Sequence, residues 1–296
     1  MTRNYSLHIC LAATAALVLV ACGGGNGSTR PPDDASLRTL IDATAPVESP
    51  GAQSARAPAI VSRADSLVLS TVYGTTDRAE LRTFRIDADC DGTRCVLRER
   101  RTGYSEVTRL SDFRFVSGES RALGTKRGVT IVSGTARDGG VDYTTLGAWL
   151  HHSAFGVGTQ VLQLEDVSVE VRYGLAGGDL TGSRPTGGAS WVGVMVGRIA
   201  TGRADRLVGT AALNIALDTA ETIDVAFSDI KNIDRGAAHT TETLLFEDLS
   251  IDSRGTFAAG LTGNRIQGGF YGPGHREAAG VFEQANIVGA FGATKR

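Results

Sequence analysis

The chain has 296 residues, with 30 Lys and Arg against 32 Asp and Glu and a formal net charge of −2 at neutral pH. That balance leaves no electrostatic footprint for nucleic acid. The 38 glycines, and the scarcity of stretches built from good helix formers, argue against a helical fold.

Arg3 and the amino terminus open the chain with positive charge, and Leu11 to Ala21 is an uncharged apolar run. Its length suits the h-region of a signal peptide and is too short to span a bilayer. The run ends in Leu19-Val20-Ala21-Cys22, which resembles a lipobox. Small Ala21 suits a signal peptidase pocket, and the Cys22 thiol is the acceptor for a diacylglyceryl group. Residues 1–21 are therefore expected to be a lipoprotein signal peptide. Removing them leaves Cys22, carrying acyl chains of the palmitate class, as the new N-terminus. Each acyl methylene buried in a membrane contributes about 0.8 kcal/mol. Residues 22–60 are rich in Gly, Ser, Pro and Asp, bury little apolar surface, and read as a flexible tether. Gly23 stands where inner-membrane lipoproteins carry Asp, so resemblance to known lipoproteins implies the outer membrane, on its periplasmic or cell-surface side.

Residues 64–182 read as a smaller, less regular β domain, with strands in LVLSTVY, ELRTFRID, CVLRER, GVTIVSG and LQLEDVSVEVRYG. In the last, Leu162 and Leu164 give way to Val167, Val169 and Val171 in shifted alternation. Cys10 lies in the signal peptide and Cys22 is consumed by lipid, which leaves Cys90 and Cys95 as an even pair in an oxidising compartment. The intervening Asp91-Gly92-Thr93-Arg94 is hairpin chemistry, so a disulfide is expected, worth about 2 kcal/mol in the chain-entropy picture. Two free thiols are the alternative. Asp87, Asp89, Asp91 and Gly92 also open like a calcium-binding loop, but the closing twelfth position is Arg98 and Glu99 falls one place late. An acidic hairpin tip is the expected reading. The boundary to the next domain falls in GLAGGDLTGSRPTGG.

From Ala189 onward the alternation has period two. Trp191, Gly193, Met195 and Gly197 share one face. Leu207, Gly209, Ala211, Leu213, Ile215 and Leu217 share another, and Ile223, Val225 and Phe227 follow. Segments near 190–199, 206–218, 221–233, 242–252, 255–262, 265–272, 278–285 and 287–294 make about eight antiparallel strands. That number closes into a barrel filled by its own side chains, with glycines where large residues pack on small ones. The expected fold is all-β: an N-terminal β domain over 64–182, then a C-terminal eight-stranded antiparallel β-barrel over 186–296.

Three motifs at the C-terminus carry a resemblance. They are Gly269-Phe270-Tyr271-Gly272-Pro273, Ala279-Gly280-Val281-Phe282 and Gly289-Ala290-Phe291-Gly292, with Trp191 to Gly197 as the matching first strand. Together they resemble the C-terminal barrel of the transferrin-binding protein B-like surface lipoproteins. The resemblance covers roughly 185–296, touches Tyr143 to Val157 loosely, and hardly reaches 23–140. It implies barrel strands and a host- or nutrient-capturing role, with an iron-carrier or haem protein as the ligand class. It transfers no ligand-contact residue.

Four histidines survive processing: His151, His152, His239 and His275. His239 and Glu242 would face opposite ways on a strand, and no nucleophile elbow or phosphate-cradling loop is present. His151 and His152, flanked by Trp149 and Phe155, raise haem or metal ligation, though adjacent strand residues face opposite sides. A surface or interdomain histidine is the expected reading. The chain is thus expected to be a non-catalytic, outer-membrane-anchored binding protein with no catalytic residue, cofactor or metal site. The alternative is a structural or accessory envelope lipoprotein without a soluble ligand.

Overall fold

The structure, a computed structural model, describes residues 72–75, 83–91, 94–99, 105–109, 121–138, 141–164, 167–216, 221–240, 242–261 and 263–296. All belong to one compact unit, Pro31–Arg296. The described residues are all-β, as the alternation predicts.

Two sheets precede the C-terminal one. The first runs in the order β1 (Val72–Thr75), β2 (Thr83–Asp91), β3 (Arg94–Glu99) and β4 (Ser105–Arg109). The second is a five-stranded meander of β5 (Arg121–Lys126), β6 (Val129–Asp138), β7 (Val141–Trp149), β8 (Ser153–Leu164) and β9 (Val167–Gly178). β1 lies against β9. The shifted alternation read as one strand over 162–174 is two strands, because β8 ends at Leu164 and β9 begins at Val167, with these two residues paired antiparallel. Reversing the chain there resets the period-two phase.

The third sheet contains β10 (Ala189–Ile199), β11 (Arg206–Ile215), β12 (Thr222–Asn232), β13 (Ala237–Ala238), β14 (Leu244–Ser250), β15 (Thr256–Leu261), β16 (Asn264–Tyr271), β17 (Glu277–Gln284) and β18 (Ile287–Lys295). Leaving aside the two-residue β13, these are the eight expected strands. Their order is β14-β12-β11-β10-β18-β17-β16-β15, all antiparallel, with β18 returning to pair with β10 from Trp191–Lys295 to Ile199–Ile287. The sheet curls until its end strands β14 and β15 touch through one isolated bridge, Ile251–Phe257, without a continuing ladder.

Inside the curl, alternate residues form one apolar core that includes Trp191, Met195, Leu213, Phe227, Phe282 and Phe291. Phe227 stacks on Phe282 with ring centroids 4.1 Å apart. The other face of β10, β17 and β18 is covered as well, and most residues of these strands are buried. The five-stranded sheet covers them. Val194, Val196, Val281 and Ala290 point outward into a second core with Leu146, Phe155 and Val157. The approach is close because β18 has no side chain where Phe155 lands: a Cβ at Gly292 would overlap the Phe155 ring. Burying one Phe contributes about 1.5–3 kcal/mol.

Gly292→Ala is therefore expected to cost about 1–3 kcal/mol by displacing Phe155. The check is a lower urea midpoint at an unchanged slope. An unchanged midpoint would mean that Phe155 yields to the added methyl group without loss of packing.

Candidate functional site

Loops gather at two ends of the curled sheet. At the end holding the 272–276 turn, a buried carboxylate organises the polypeptide. Glu277 opens β17 and is 3% exposed. Its Oε1 accepts the backbone N–H of His151 at 2.8 Å, and its Oε2 accepts that of His152 at 2.9 Å and the hydroxyl of Ser153 at 2.7 Å. Charge-assisted bonds of this kind are the strong ones, and they pin the β7–β8 turn to the third sheet. The segment after β9 is stitched alongside. Asp179 N–H donates to His152 O, Gly272 N–H donates to Asp179 O, and Thr181 Oγ1 donates to Gly272 O at 2.7 Å.

The turn displays its two imidazoles. His151 is exposed, His152 is half-buried, and their rings meet edge to face at 4.6 Å. His152 Nδ1 lies 3.9 Å from Asp179 Oδ2, and its ring covers Gly272, whose φ is +74°. The two histidines were expected on a strand with opposite orientations. They occupy the turn between β7 and β8, where strand alternation does not apply. His275, at φ +59°, donates from Nε2 to Ser183 O at 2.8 Å and packs edge-on against Phe270. Its own carbonyl accepts the Trp191 indole N–H at 2.7 Å. Ser153 is wholly buried and its hydroxyl is committed to Glu277, so this grouping of Ser, His and Asp is structural. Tyr271, also wholly buried, has a hydroxyl without a hydrogen-bond partner among the described residues, and burial raises its ionisation above the ordinary phenol range.

The opposite end is rich in arginine. Asp205, 1% exposed, meets Arg203 Nε at 2.8 Å, Arg235 Nε at 2.5 Å and Asn232 Nδ2 at 3.0 Å. Burial alone would raise its pKa, but the Asn232 and Arg235 hydrogen bonds and the charges of Arg235 and Arg203 hold it below the ordinary value of 3.8. Arg206 grips Asp234 through Nε at 2.9 Å and Nη2 at 2.6 Å. Arg172 from β9 reaches the carbonyls of Ile199 and Gly202, which ties the second sheet to the β10–β11 turn. His239 follows β13 in a loop and not in a strand; burial, with the Arg235 charge, lowers its pKa against a raising contribution from Asp205.

Cys22 lies outside the described residues. Cys90 and Cys95 face each other as Cα partners in the β2–β3 ladder. Asp87, Asp89 and Asp91 lie along β2, paired with Arg98, Val96 and Arg94. A strand spreads such residues along its length, whereas a calcium loop gathers them around one point. Among the described residues, no group of three or more His, Cys, Asp or Glu side chains converges to hold a metal ion. Sequence reasoning missed Glu277 and Asp205. Glu277 sits in an otherwise apolar run, EAAGVF, and an acid at the first position of a buried strand is the signal that was available.

No protein-family model and no curated protein matches the chain. Solved structures of transferrin binding protein B do match. Intact Ap-TbpB, with its N and C lobes, gives a TM-score of 0.37 at 17% identity, over 74% of this chain and 48% of that one. A double alanine mutant from Haemophilus parasuis gives 0.38 at 15%, over 74% and 46%. The isotype 1 protein from serogroup B Neisseria meningitidis gives 0.29 at 14%, over 72% and 52%. The chain spans about half the length of these structures. They come from the family that the C-terminal motifs resemble. At scores this low, the likeness assigns no ligand and no residue role.

Glu277→Ala would leave two backbone donors and a hydroxyl without their acceptor, at a cost of about 1–3 kcal/mol. The His151 and His152 amides are expected to exchange with solvent on the order of tenfold faster, measured by hydrogen exchange. Unchanged exchange there would show that Glu277 does not hold the turn.

Proposed function

We propose that this chain is a non-catalytic lipoprotein, held at the outer membrane through lipidated Cys22, that binds an iron-carrier or haem protein. The observation that carries this reading is the Leu19–Cys22 lipobox after an uncharged apolar run, on a chain whose last strands bear the Gly–aromatic–Gly pattern of the transferrin-binding protein B-like family. In this reading residues 1–21 are removed and residues 22–60 form the tether. Residues 64–182 and 186–296 are the two β domains that the tether holds off the membrane. Ligand contacts come from loops and turns, since substitution there disturbs the strand ladders least. The display of His151 and His152 on a firmly anchored turn is consistent with such a surface.

Metabolic labelling with a fatty acid tests the anchor. The wild-type chain is expected to take up label and Cys22→Ser to lose it, because a hydroxyl does not replace the thiol; label retained in the variant sinks the assignment. Binding of the purified protein to haem and to iron-carrier proteins tests the ligand class, with saturable binding to one of them expected. No binding to any would leave the accessory envelope role.

Cys90 and Cys95 are further proposed to be joined. Directly opposed residues of an antiparallel ladder have Cα atoms about 4.5–5.5 Å apart, within the range that a disulfide spans. Mass spectrometry without reductant should find the two cysteines in one cross-linked species. Quantitative alkylation of both thiols in protein that was never reduced would refute the bond.

A further inference from the structure

A sheet that curls on itself removes its edges only where the end strands pair, and here they do not. β14 and β15 are consecutive, and their hairpin opens immediately beyond the Ile251–Phe257 bridge. β14 is laddered only to β12, and β15 only to β16. Each therefore presents one edge of backbone donors and acceptors toward the other with no pairing between them.

Side chains along this seam are equally unfinished. Alternation places Phe257, Ala259 and Leu261 on the inward face of β15; Phe257 is buried, yet Ala259 is exposed and Leu261 is 83% exposed. The Leu261 end of β15, far from the β14–β15 turn, has left the core. Leu245, facing out from β14, is 48% exposed. Leu245 and Leu261 are the two large hydrophobic residues that stand exposed among the described residues, and they belong to the two strands that border the seam. From β17, Gln284 Nε2 donates to the Leu245 carbonyl at 3.3 Å, while its Oε1, shut off from water, has no partner among the described residues.

Charge selects the occupant. Glu247 and Asp248 are exposed on β14, Glu242 precedes them, and exposed Asp224 of β12 accepts the Asp248 N–H at 2.9 Å. None of these four carboxylates pairs with a cation among the described residues, whereas Asp205, Asp229 and Asp234 all do. A second copy of this chain would bring the same acids against themselves. A basic strand would neutralise them.

We infer that the β14–β15 seam is a docking site for an extended segment of a partner protein that alternates basic and apolar residues. It adds to the exposed edge as a strand, sets its apolar side chains on the inward face beside Leu261, and directs its cations outward to Glu247 and Asp248, their aliphatic stems crossing Leu245. The site serves a binding protein whether or not Cys22 is lipidated, so labelling and docking fail separately.

The test uses the purified full chain and an amidated peptide as long as β14, seven residues, alternating lysine and valine. The expected result is hydrogen-exchange protection of amides in 244–249 and 258–261, weakened by raising the ionic strength from ~0.05 to ~0.5 M. A Glu247→Lys/Asp248→Lys variant, on solvent-facing positions, should lose about tenfold in affinity for this peptide and gain affinity for a glutamate–valine counterpart. Leu261→Ser should weaken both peptides. Protection elsewhere, affinity indifferent to the charge reversal, or seam amides already protected in the free monomer would overturn the proposal. So would protection that appears with protein concentration alone, which would assign the seam to a second copy.

Discussion

The structure depends on one constraint: three strands of the curled sheet, β10, β17 and β18, are buried on both faces. Inside, Phe282 and Phe291 fill the curl. Outside, Phe155 of β8 rests where Gly292 leaves room. An antiparallel sheet ordinarily keeps one face for water, so the second layer must be held in register for the first to stay dry. Small residues at the contact decide how close the two layers come. That closeness makes the five-stranded sheet part of the same apolar body and not an appendage.

Polar anchors at the two ends fix that register. Glu277 bonds the β7–β8 turn at one end, and Arg172 bonds the β10–β11 turn at the other. Each joins a charged group on one sheet to backbone of the other, so neither sheet slides without stranding a charge or several peptide groups in a dry place. Asp205 stays within the third sheet, where two guanidinium groups and an amide offset the cost of burying a carboxylate.

The seam between β14 and β15 is the counterpart of this order. Where backbone pairs fully, exposed leucines are absent among the described residues; where pairing stops, Leu245 and Leu261 face water beside four unneutralised acids. Folding alone gains nothing from that arrangement, which is why it reads as a surface kept for another chain.

Much of the fold is legible in the chain itself. Period-two alternation from Trp191 to Phe291 places all eight strands, because a strand has only two faces and the core accepts one kind of residue on its side. The phase slip between Leu164 and Val167 marks a reversal between two strands, which leaves the same trace in the sequence as an irregularity within one. The resemblance of Leu19 to Cys22 to a lipobox is likewise carried by the sequence alone. Only the tertiary structure decided what covers the outer face of β10, β17 and β18, because Val194 and Val281 carry no mark of which neighbour buries them. It alone joined Glu277 to residues more than a hundred positions away. And it alone showed that β14 and β15, adjacent in the chain and each a regular strand, part after a single bridge: pairing between edges is a property of geometry and not of either strand's residues.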